Sequence, residues 1–184
     1  MQHLFCYKNG RHYRRQNSDV LDPVNADCRG TRCKGVYMAK TTLKRTIHAP
    51  VEDVFSAVAD ASVFSQAVPD VLSIEYLSAS RMGTGTKFRE TRILNGKMAA
   101  NVMHVTEFVK NSRVRIESEN AGTVWDSVFS VQVSGNDTEL SLVMEARSSR
   151  VMSKLFNSLL MPVIKKSAAK DLDAIKLFCE ESAV

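Results

Sequence analysis

The feature that most constrains this chain is a change of hydrophobic period. From Val71 to Ala146 apolar and polar residues alternate with period two, and from about Ser149 to Glu180 apolar residues recur every three or four positions. The first pattern reads as strands at Val71–Leu77, Thr86–Ile93, Lys97–Phe108, Arg113–Glu119, Val124–Val133 and Thr138–Ala146. Their connections are short and rich in turn residues, with Asn95-Gly96 the strongest hairpin signal. Strands joined this tightly are antiparallel neighbours, so a meander is expected. The second pattern is one long amphipathic helix. Met152, Leu155, Phe156, Leu159, Leu160, Val163, Ile164, Ala168, Leu172, Ile175 and Phe178 form its apolar side, and Pro162 should kink it.

Ahead of the meander, Thr41–Ile47 reads as a strand stopped by Pro50. Val51, Val54, Phe55 and Val58 follow at helical spacing, with Glu52 and Asp53 at the favourable end of the helix dipole. A second short helix is expected over Ala61–Ala67, before Pro69.

Residues 1–37 show neither period. They are polar and carry Lys8, Arg11, Arg14, Arg15, Arg29, Arg32 and Lys34 against Asp19, Asp22 and Asp27, which accounts for most of the chain's net charge of +5. The expectation is a disordered basic tail, either an upstream start mis-assigned ahead of Met38 or an arm that touches an anionic surface. Residues 38–184 form the single expected domain, and its near-neutral charge gives no reason to propose nucleic-acid binding. Cys6, Cys28 and Cys33 lie in the tail at spacings that do not resemble a zinc site, so neither a metal nor a disulfide framework is expected. No run approaches a membrane span and the start lacks a secretory apolar stretch, so a cytoplasmic location without integral membrane association is the expectation.

The order strand, two short helices, six-stranded meander and long helix resembles the START-like (SRPBCC) superfamily of polyketide cyclase/dehydrase and lipid-transport proteins. Ile47-His-Ala-Pro-Val-Glu-Asp-Val-Phe55 is similar to that family's entry into its first helix. Gly83-Thr-Gly-Thr-Lys-Phe-Arg-Glu90 is similar to its glycine-rich turn, and Val105-Thr-Glu-Phe108 and Asp171-Leu-Asp-Ala-Ile-Lys176 to later blocks. The resemblance covers Thr41 to Glu180. It implies an α+β helix-grip fold, with a curved antiparallel seven-stranded sheet around the C-terminal helix. It also implies a cavity between the two for a small hydrophobic molecule, without cofactor. These motifs are turn and packing residues, so they carry the fold better than the chemistry.

Alternation then names a lining. Trp125, Ser127, Phe129, Val131 and Val133 share one face of their strand, Leu140, Leu142 and Met144 one face of the next, and Val114 and Ile116 one face of another. Asp126, Gln132, Glu139, Glu145, Arg113, Arg115, Glu117 and Glu119 take the solvated side. Phe88 shares its side with Glu90 and Arg92, which are expected either to pair at the rim or to contact ligand. On the Lys97–Phe108 strand, Met98, Ala100, Val102, His104, Thr106 and Phe108 are the better inward set, subject to a bulge that switches faces midway. From the helix, Leu160, Ile164 and Ala168 are expected to complete the pocket. Small residues at Ser167, Ala168 and Ala169 suit either unfilled volume or close helix-to-sheet contact.

Three functions fit. The first is non-catalytic binding or carriage of a lipid, polyketide or similar molecule. The second is a cyclase/dehydratase-type enzyme that moves protons with His104, Glu90 or Arg92, and the third is a protein-interaction module. The sequence contains no phosphate-cradling loop and no nucleophile elbow, and it does not set the oligomeric state.

Overall fold

The computed structural model describes residues 5–8, 11–14, 37–120, 122–148 and 151–182, with side chains described within 39–120, 122–147 and 161–182. In chain order the elements are β1 (Phe5–Lys8), β2 (Arg11–Arg14), β3 (Tyr37–Ile47), α1 (Val51–Ala59), α2 (Ala61–Ala67), β4 (Val71–Tyr76), β5 (Lys87–Leu94), β6 (Lys97–Val109), β7 (Arg113–Asn120), β8 (Thr123–Ser134), β9 (Asp137–Ser148) and α3 (Val151–Ser182). Within the segment expected to lack structure, β1 and β2 pair as an antiparallel hairpin, and the rest of residues 1–36 lies outside the described residues.

Among the described residues the main sheet has seven strands in the order β3-β9-β8-β7-β6-β5-β4, antiparallel throughout. The meander β4 to β9 was legible from its turns. At Asn95-Gly96 both residues take positive φ, 51° and 74°, as a two-residue hairpin matching the strand twist requires. β3 closes the far edge against β9, in register from Tyr37↔Ser148 to Ile47↔Thr138, four residues longer than its alternation indicated.

Register shifts between Val71 and Ser73 on β4, and between Val105 and Glu107 on β6, accompany the bending of the sheet into a trough. α1 and α2 seal one end. Asp60 ends α1 and caps α2, its Oδ1 accepting from the backbone N–H of Ser62 at 2.8 Å. α3 lies along the trough with Pro162 inside it, and ion pairs tie it to both sides of the sheet. Arg45 on β3 reaches Asp173 at 2.5 Å, and Lys170 reaches Asp70, just before β4, at 2.9 Å. The core gathers Ile47, Val54, Val114, Leu140, Leu172 and Ile175 between helices and sheet.

Three placements differ from the alternation argument. Val133 is 68% exposed near the end of β8. On β6 the apolar row Met98 and Val102 faces outward, 71% and 45% exposed, and Ala99, Asn101 and Met103 face the trough instead. The bulge after Val105 then returns Phe108 to the core. Asp126 is on the outer face as expected but is only 3% exposed. Arg147 Nη2 donates to its Oδ2 at 2.8 Å, Arg115 Nε donates to its Oδ1 at 2.9 Å, and the two long side chains cover it.

Candidate functional site

The described side chains do not fill the trough. A cavity of about 550 Å³ lies between the concave face of the sheet, α2 and α3. That is within the range that holds a small organic molecule. Phe64 of α2, Phe88 of β5, Met103 of β6, Ile116 of β7, Trp125 and Phe129 of β8, and Leu142 and Met144 of β9 make most of its wall. The period-two alternation of each strand presents these side chains inward. Ile164, Ser167 and Ala168 of α3 form the opposite wall. Ala168 is buried from solvent and borders the open volume.

Of the residues anticipated from sequence, Phe88, Glu90, Arg92, Trp125, Ser127, Phe129, Leu142, Met144, Ile164 and Ala168 border this cavity. Val102 does not, because it belongs to the outward row of β6. His104 stands two residues further along that row, with Lys87 and Glu117 as its cross-strand partners, and is not on the cavity wall. This corrects its reading as an inward acid or base. The side chain of Leu160 lies outside the described residues.

Among the described residues the wall carries one charged group. Arg92 and Glu90 were expected either to pair at the rim or to contact ligand; both line the cavity, and a third member, Asp171 of α3, joins them. Arg92 Nη2 donates to Asp171 Oδ1 at 2.7 Å and Oδ2 at 2.9 Å, and touches Ser167 Oγ at 3.4 Å. Glu90 Oε1 stands 3.5 Å from Arg92 Nη1 and makes no hydrogen bond, although Glu90 is 5% exposed. Burial pushes the Glu90 carboxyl above the usual carboxylate range, against the pull of Arg92. Asp171 is raised for the same reason, opposed by its bonds to Arg92. Arg92 is pushed up by Asp171 despite its own burial.

Asp171 was missed as a site residue. The helical period contained the signal, since Ile164, Ala168, Asp171 and Ile175 fall on one stripe and put an acid among apolar positions. Further polar groups, Asn101, Ser118, Asn120 and Thr123, also line the cavity. Asn120 Nδ2 donates to Asn101 Oδ1 at 3.0 Å. Among the described residues no group of His, Cys, Asp and Glu side chains could hold a metal ion, and no helix is long and apolar enough to cross a membrane.

No family model and no curated protein matches the sequence. Solved structures do match. A protein from Thermus thermophilus superposes with a TM-score of 0.66 at 17% identity, over 79% of this chain and 100% of its own. The Zhui aromatase/cyclase from Streptomyces gives 0.66 at 14% identity, over 78% of this chain and 94% of its own. Norcoclaurine synthase from Thalictrum flavum, in complex with dopamine and hydroxybenzaldehyde, gives 0.63 at 12% identity, over 79% and 88%. At these identities the likeness concerns the backbone. The chain has the helix-grip fold of these structures, a seven-stranded antiparallel sheet around a long C-terminal helix.

Proposed function

We propose that this protein binds a small, largely apolar molecule in the cavity between the sheet and α3. The carrying observation is the cavity itself, about 550 Å³ of open space behind an aromatic and aliphatic wall. An unfilled apolar volume of this size forfeits packing contacts and is retained where a ligand supplies them. Carriage needs no more than this wall and a few polar groups. Native mass spectrometry of the purified protein, with solvent extraction of whatever accompanies it, tests the reading. A stoichiometric apolar molecule, or saturable uptake of Nile red that alters Trp125 emission, is the expected result. Absence of both would remove it.

One observation favours a second reading, an enzyme of the cyclase/dehydratase kind. Glu90 is a buried carboxyl on the cavity wall, with one oxygen outside any hydrogen bond, and burial lets it hold a proton to higher pH than an ordinary carboxyl, as a general acid or base requires. In this reading Glu90 moves the proton and Arg92 orients the polar part of the substrate.

A further inference from the structure

The charged wall of the cavity limits the head group its ligand can carry. Arg92 is the only cation lining the cavity among the described residues, and Asp171 holds its Nη2 through both carboxylate oxygens. Glu90 stands beside it, 5% exposed, with Oε1 unbonded. A carboxylate entering the cavity would meet two acids and one already engaged guanidinium, and would lose its hydration without gaining a free cation. A neutral hydroxyl or carbonyl would instead meet the Glu90 carboxyl, a cavity-lining group with hydrogen-bonding capacity left unused, and would bring no charge to desolvate.

We propose that the Glu90 carboxyl is the anchor for an uncharged oxygen function, a hydroxyl or carbonyl, on an otherwise apolar ligand, and that the Arg92–Asp171 pair closes the cavity to fatty carboxylates. This deepens the binding reading above and rests on it. The head group meets the carboxyl at β5, and the apolar body lies along Phe88, Met103, Trp125 and Phe129. A protonated Glu90 carboxyl donates to a ligand carbonyl, and an ionised one accepts from a ligand hydroxyl. The same carboxyl thus serves both neutral groups.

The test uses four probes with one alkyl chain, decanol, 2-decanone, decanoate and decylamine, competing against neutral Nile red at pH 7. Decanol or 2-decanone should displace the dye at least about tenfold more effectively than decanoate or decylamine, the scale of one unpaired buried polar contact. Asp171→Asn releases Arg92, so decanoate should gain about tenfold on decanol. Glu90→Gln keeps size and hydrogen bonding while removing the carboxylate, so it should narrow the same gap if the first variant fails to fold. Equal binding of decanoate and decanol by the parent protein, tighter binding of decylamine than decanol, or selectivity unchanged in the folded variants overturns the proposal while leaving a binding cavity in place. If Nile red itself does not bind, the cavity reading falls and takes this one with it.

Discussion

Glu90 is buried without a full set of partners, and this has a consequence for stability. Its folded-state carboxyl holds a proton to higher pH than the ordinary value of 4.5, because burial penalises the charged form. Folding therefore takes up a proton in the window above 4.5, and the stability Glu90 contributes is present below that window and lost as pH rises through the folded-state pKa. Glu90→Gln should thus match the parent near pH 4.5 and exceed it in stability at neutral pH. Calorimetric melting of both proteins across that range checks it, and a gap that shrinks as pH rises would contradict it. Asp171 shifts in the same direction, so a residual fall in stability should persist in the variant. The burial of Asp126 was not legible in the sequence for a related reason. Alternation gives the face of a strand correctly, but exposure on that face depends on whether neighbouring Arg115 and Arg147 fold over it.

At the level of elements, β6 shows where a pattern argument stops. The turns, the period change and the edges of α2 could be read directly, because turn chemistry and helix caps are local. The inward face of β6 could not, because an inward row that lines an open, partly polar cavity need not be apolar. Asn101 faces the trough and accepts from Asn120, and Met98 and Val102 are left in solvent. A one-residue choice inverts the whole row. Val102→Ser should therefore change unfolding free energy by less than about 0.5 kcal/mol, whereas Val105→Ala, three residues away and buried, should cost about 2 kcal/mol. Chemical denaturation separates the two; comparable losses would restore Val102 to the inside. On α3, small residues could mean either space or close contact, and Ala168 borders space. Ala168→Leu should hold stability within about 1 kcal/mol while weakening Nile red uptake. A loss of about 1–3 kcal/mol would instead indicate overpacking.

For the whole molecule, β3 begins at Tyr37, and a chain truncated before that residue should melt within a few degrees of the full one. A larger drop in a thermal scan would mean that the preceding segment packs on the domain. The closure of β3 against β9 also sets a timetable. The two strands are about 100 residues apart in sequence, with the meander between them and α3 after both. At about 5–20 residues per second of synthesis, β3 waits roughly 5–20 s for its partner, and the cavity has no second wall until α3 has followed. A trough of alternating apolar side chains is meanwhile open to anything that binds it. The growing chain is thus exposed longest at the surface that the finished protein encloses. Its refolding, dominated by the same distant pairing, should fall among the slow, millisecond-to-second topologies.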